Sequence, residues 1–110
     1  MITIRILLVA GALALATPVG AADLIKGAAK AKEVCAVCHG DDGNGKKEFP
    51  DYPKLAGQHA DYLAVALRGY KSGTRKNAIM APMAQALSAE DIENVAAFYA
   101  KQKTTLRVMR

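Results

Sequence analysis

The stretch Cys35-Ala36-Val37-Cys38-His39 constrains this chain more than any other feature. It holds both cysteines of the sequence and one of its two histidines. Two cysteines separated by two residues, with a histidine directly after the second, form an attachment sequence for a covalent c-type haem. The chemistry asks for that order. Each thiol can add to one vinyl group of the porphyrin as a thioether. The tethered ring then holds its iron over the next residue, where a neutral imidazole is a good axial ligand. A second reading is a thiol–disulfide redox pair. Such pairs normally open a helix in a strand-rich domain, where the helix N-terminus lowers the thiol pKa. Here the motif follows a helix-forming stretch, and no segment alternates like a strand.

Residues 1–22 read as a secretory signal peptide. Arg5 supplies a positive start, Ile6 to Ala16 is apolar, and Pro18 and Gly20 break the run. Small residues then precede Asp23, so cleavage would follow Ala21 or Ala22. The apolar run is too short for a membrane span, which needs about 20 residues. The expected location is therefore the periplasm, reached by export. The remaining 88 residues contain 16 alanines, no tryptophan, and 23 larger apolar side chains. A domain this small with so few bulky residues is marginally stable without a staple. One flat apolar prosthetic group would fill the space that large side chains do not.

Arg5 is the leader's one basic residue, so the 15 Lys and Arg of the chain fall to 14 against 10 acidic residues, a net charge of +4. That charge is small and dispersed, which argues against nucleic acid and permits docking to an acidic protein. Lys71, Arg75 and Lys76 form the densest basic cluster, readable either as a docking patch or as a solvated turn.

Along the chain, Asp23 is a plausible N-cap for a helix running to about Cys35. Gly27 interrupts that helix at about 1 kcal/mol relative to alanine, which suggests a close contact there. Residues 40–57 are rich in Gly, Pro, Asp and Asn and read as loop, with a tight turn at 41–45. A second helix spans His59 to about Lys71, with Tyr62, Leu63, Ala66, Leu67 and Tyr70 on one face. His59 is either a polar first-turn residue or a second iron ligand. Residues 74–87 read as irregular. Ser88-Ala89-Glu90-Asp91 then resembles a capping box that opens a third helix to about Lys101. The expected fold class is all-α, with three main helices and long loops. Loops this long in a small domain argue for something that they wrap.

The Cys35–His39 motif, the Pro53-Lys54-Leu55-Ala56-Gly57-Gln58 phrase, Lys71-Ser72-Gly73, the Asn77–Met83 segment and the Ser88–Tyr99 helix occur in one order. Together they resemble a class I bacterial c-type cytochrome, in particular the single haem domains of periplasmic dihaem cytochromes. The resemblance spans residues 23–103, which would form a cytochrome c domain followed by a basic tail at 104–110. It implies the cytochrome c fold around one covalent haem c, with Cys35 and Cys38 as thioether positions and His39 as proximal ligand. It implies that the Pro53 carbonyl orients His39. It also implies a distal methionine about eight residues before the capping serine, which favours Met80 over Met83. Gly27 would mark the crossing of the first and last helices, facing Phe98 or Tyr99.

The function implied is a periplasmic monohaem electron carrier that serves redox proteins as donor and acceptor, whether membrane-bound or periplasmic. No enzyme activity, nucleic acid or small-molecule substrate is implied, and a monomer is favoured. The alternatives are a haem c subunit of a larger dehydrogenase or oxidase complex, or a gas-binding haem protein with an open iron position.

Overall fold

Asp23 starts the fold. The structure is a computed structural model that describes residues 10–12 and 21–106. The signal peptide assigned to residues 1–22 lies outside the described residues except at 10–12 and 21–22, and so does the tail from 107 onward. Asp23 is extended, and its carboxylate accepts the N–H groups of Ile25 and Lys26 at 2.9 and 3.0 Å. Two of the donors that a helix start leaves orphaned are thereby satisfied. Helix α1 (Leu24–Val34) follows, and a single turn, α2 (Ala36–His39), continues beyond Cys35. Residues 40–59 form the long loop. Helix α3 (Ala60–Ser72) closes on Gly73, whose φ of 84° is the left-handed conformation that glycine adopts without strain. A short α4 (Met80–Gln85) and then α5 (Ala89–Ala100) complete the order.

The described residues contain helices and no strands, as the sequence suggests, and the three long helices begin and end within a residue or two of the expected places. The difference is α4, which lies inside a segment read as irregular. Pro82 discouraged a helix there. Asn77 makes it feasible: its side chain accepts the N–H groups of Ile79 and Met80, each at 2.9 Å, and its carbonyl accepts Ala81 N–H. Pro82 forfeits only the bond it would have made to Ala78, in the first turn, where such a loss is best tolerated.

The interior rests on the crossing of α1 and α5. A Cβ on Gly27 would stand 2.1 Å from the Asn94 carbonyl oxygen and 3.1 Å from the Phe98 Cβ. Only glycine allows the two backbones to lie this close. Phe98 is therefore the aromatic side of the crossing. Tyr99, the other candidate, turns inward and is 1% exposed. Buried Asn94 ties the same crossing at its end by accepting Asp23 N–H at 2.8 Å. Leu63, Leu87, Ile92 and Val95 close the core between α3 and α5.

The start of α5 carries the expected box. Ser88 Oγ accepts Asp91 N–H at 3.0 Å and Asp91 accepts Ser88 N–H at 2.9 Å. The chain after α5 is not loose up to residue 106. Asn44 donates to the Lys103 carbonyl at 2.8 Å and accepts Thr105 N–H at 3.0 Å, while Lys54 Nζ reaches Thr105 Oγ1 at 2.7 Å. A terminus stays ordered when it is tied down, and these bonds do so.

Replacing Gly27 by alanine adds about 1 kcal/mol of helix propensity but forces α1 and α5 apart. We expect a net loss of about 2 kcal/mol in chemical denaturation, since overpacking so tight a contact falls at the upper end of about 1–3 kcal/mol and the propensity gain offsets part of it. Hydrogen bonding from Ser88 N–H holds the Asp91 carboxyl below the usual carboxylate range. A depressed folded-state pKa gives stability that is present above the unfolded value and lost as pH falls through the folded one. Asp91→Ala should therefore destabilise at neutral pH, with the gap to the parent narrowing toward strongly acidic pH in denaturation curves.

Candidate haem-binding site

Helix α1 delivers Cys35 as its C-terminal cap, and the one-turn α2 carries Cys38 and His39. The turn ends at Gly40 (φ 86°), where a Cβ would meet the Gly45 carbonyl oxygen at 2.8 Å, so the chain can fold straight back under the motif. His39 is 5% exposed, and its Nδ1 lies 2.8 Å from the Pro53 carbonyl oxygen. A carbonyl can only accept, so Nδ1 carries a proton, and in the neutral ring the lone pair is then left on Nε2. The neutral imidazole is thus held in one tautomer. Tyr52, tilted 42° to the ring at 6.3 Å, packs beside it.

The two cysteines, His39 and Pro53 line one cavity of about 300 Å³ together with Met80 and Met83. The methionines are three residues apart on α4, hence on one face. Met80 is half-buried, whereas Met83 is 40% exposed. Most of the remaining wall is apolar, from Leu55, Leu63, Leu67, Leu87 and Val95, and the small Ala66 and Ala96 leave it flat in places. No Asp or Glu lines the cavity, and Arg75 is its one permanently charged side chain. His59 stands exposed at the N-cap of α3 and does not line the cavity.

Several wall residues were not singled out from sequence as parts of a site. Tyr99 donates its hydroxyl to the Gly40 carbonyl at 3.5 Å, bracing the loop behind the motif. The sequence pattern places Tyr62 and Tyr70 only on a helical face, and Arg75 only in a basic cluster. The spacing Tyr62-Ala66-Tyr70, two aromatics flanking a small residue at four-residue steps, was the available signal. The basic cluster does not act as a group: Lys71 Nζ donates to the Leu87 carbonyl, Arg75 lies against tyrosine rings, and Lys76 stays exposed.

The thiol pair is poorly made for disulfide exchange. Both cysteines are free. Burial, and secondarily the neighbouring Cys38, push the Cys35 thiol up to about 11. An exchange cysteine needs the opposite shift, which a helix N-terminus supplies. Cys35 instead caps a C-terminus, where the dipole disfavours a thiolate. The residues do fit a covalent haem. Two thiols lie on one wall, an imidazole nitrogen and a methionine thioether are donors of the kind that would hold its iron, and the surroundings are apolar with a single cation.

Fold and site together define a c-type cytochrome, an electron-carrying protein with one covalently attached haem c. The family described as Cytochrome c matches residues 24–103, and the chain belongs to it. It is 49% identical over 72 residues to cytochrome c-554(548) of Halomonas halodenitrificans, covering 63% of this chain and 84% of that one. Cytochrome c4 of Pseudomonas aeruginosa is 39% identical over 103 residues, 94% of this chain and 49% of the relative. The crystal structure of reduced cytochrome c4 from Pseudomonas stutzeri superposes with a TM-score of 0.70 at 38% identity, over 78% of this chain and 48% of that one. The chain thus spans about half the length of these cytochrome c4 relatives.

Because Asn77 alone caps the start of the segment carrying both methionines, Asn77→Ala should cost about 1 kcal/mol, the usual worth of such a cap. Urea denaturation of the haem-loaded protein measures it, and an unchanged midpoint would show that α4 does not depend on this side chain.

Proposed function

We propose that this chain is a periplasmic monohaem cytochrome that carries single electrons between redox proteins, with Cys35 and Cys38 as thioether anchors and His39 and Met80 as axial ligands. The observation that carries the reading is that His39, oriented by Pro53, and the methionines of α4 line one apolar cavity beside both cysteines. When bound, the haem supplies a one-electron ferric/ferrous couple. The protein's part is to hold that couple steady. The Pro53 carbonyl keeps the His39 proton on Nδ1 and its lone pair on Nε2, a second bond that raises the basicity of the ligand. A neutral thioether on the far side is a weak donor that favours the ferrous state. Met80 suits this role better than Met83. It is the less exposed of the two, its own N–H is held by Asn77, and it stands eight residues before Ser88.

With both axial positions taken by the protein, no open position is left for a substrate, so we read the chain as a carrier and not an enzyme. Val37 and Ile79, 63% and 50% exposed, stand with Met83 at the cavity wall, an apolar margin suited to brief contact with a protein donor or acceptor. The same margin would serve a fixed subunit of a dehydrogenase or oxidase complex. The leader read at residues 1–22 supplies export to the compartment of those partners.

Expression with haem-attachment machinery, followed by a pyridine haemochrome spectrum, tests the anchors, and a parent lacking covalent haem would refute the reading. Met80→Ala should abolish the thioether-to-ferric charge-transfer band and open the ferrous iron to carbon monoxide. Met83→Ala should do neither. The reverse pattern would move the ligand to Met83, and no effect from either would leave the distal assignment wrong.

A further inference from the structure

The wall beside His39 has an outer side. The loop at 44–54 encloses a surface cleft of about 250 Å³, and Tyr52 is the one residue that lines both this cleft and the apolar cavity. The loop is fastened to His39 near both ends. Gly45 N–H donates to the His39 carbonyl at 2.8 Å, and the Pro53 carbonyl accepts from His39 Nδ1 at 2.8 Å. Between those points Phe49 N–H donates to the Lys46 carbonyl and Tyr52 N–H to the Phe49 carbonyl, both at 3.1 Å. Two successive turns thereby bring Phe49 and Tyr52 into a stack, with centroids 5.0 Å apart and planes 8° from parallel. Both rings are half-buried, and the Tyr52 ring lies 6.3 Å from the His39 imidazole. A row of rings thus runs from the cleft to the imidazole.

The charge of the cleft has one sign. Lys46, Lys47 and Lys54 line it, and no Asp or Glu does. Glu48 and Asp51 belong to the same loop but stand exposed outside the cleft. Lys54 Nζ rests on the Thr105 hydroxyl, a neutral partner, and Asn44 holds the backbone of Lys103 beside it. Among the described residues the ion pairs are Lys26–Glu90, Lys30–Glu33 and Arg68–Glu93, and none includes these lysines. A concave surface of one sign steers the encounter with a partner of the other. The margin at Val37, Ile79 and Met83 is apolar instead, and it lines the cavity and not this cleft. Half-buried rings offer no wedge to a bilayer, so an acidic protein surface fits the cleft better than a membrane.

We propose that the 44–54 cleft is a second electron-exchange face, where an acidic redox protein docks and is coupled to His39 through Phe49 and Tyr52. The inference rests on the haem reading above. One electron passes from the ferrous form of this protein to a one-electron centre of the partner, or back from a reduced partner to the ferric form. No atom or proton is transferred. Tunnelling falls steeply across gaps between atoms, so rings filling the space between cleft and imidazole make this face productive. The protein then has an apolar contact face at one place and a charged one at another, and two partners need not compete for a single surface.

Plastocyanin, an acidic copper protein, is the probe, used with the haem-loaded full chain. Titrating its redox-inert zinc-substituted form should shift the amide resonances of Lys46, Lys47, Phe49 and Tyr52, and added salt should abolish the shifts. Stopped-flow oxidation of the ferrous protein by cupric plastocyanin at low ionic strength gives the rates. The double variant Lys46→Gln/Lys47→Gln should weaken binding and lower the second-order rate about tenfold. The double variant Lys26→Gln/Lys32→Gln removes the same charge from α1, outside the cleft, and should lose far less. Phe49→Leu should keep the dissociation constant but slow the first-order step at saturating plastocyanin, with the methionine band intact. Amide shifts centred on Val37, Ile79 and Met83, or equal losses in the two lysine pairs, would overturn the assignment. An unchanged first-order step in Phe49→Leu would overturn the coupling through the rings. Absence of plastocyanin shifts, with co-sedimentation on phosphatidylglycerol vesicles that Lys46→Gln/Lys47→Gln loses, would make the cleft a membrane contact instead. A parent without a haemochrome spectrum would refute the haem reading itself, whatever the amide shifts show.

Discussion

Everything in this fold depends on how closely α1 can lie against α5. The attachment motif begins at the C-cap of α1 and continues through α2, so the position of both thiols follows from where α1 is pinned. The pin is Gly27 against the Asn94 carbonyl, with Phe98 beside it and the Asn94 side chain holding the backbone of Asp23. Helix α5 in turn presents Val95, Ala96 and Tyr99 to the cavity. One contact between backbones therefore sets both the floor on which the motif stands and part of the wall it faces.

The composition makes sense in this light. Alanine at 31, 64 and 96 lets helices approach, and the buried cluster is small for a domain of this length. Large side chains ring the cavity and do not fill it. A chain of this kind leaves a defined hole in its centre, and the apolar face of a porphyrin completes the burial that its own residues begin.

Much of this was legible in the sequence because the signals were local. Asp23, Gly73 and the Ser88–Asp91 box act within a turn of where they stand, and the long helices fell where those signals put them. Helix α4 was missed because a proline drew more weight than the Asn77 side chain, which caps three residues further on. The placement of Arg75 was hidden for a different reason. Its neighbours in sequence are cations, but its neighbours in space are two tyrosines from the preceding helix, and no local pattern states that the turn folds back at Gly69. The choice between Phe98 and Tyr99 likewise needed the angle of a helix crossing.

The strap formed by residues 103–106 bears on how much of the chain a haem site really occupies. Asn44 is bonded to Lys103 across 59 positions of sequence, Gly57 N–H donates to the Tyr99 carbonyl, and Tyr99 braces Gly40. The ground behind the motif is thus fastened by the far end of the molecule. Closing so long a loop costs entropy that no short segment can recover by itself. A peptide containing the five motif residues and the loop after them would hold the right chemistry in the wrong ensemble. The attachment sequence is a local word, but the surface that receives the ring is a property of nearly the entire chain.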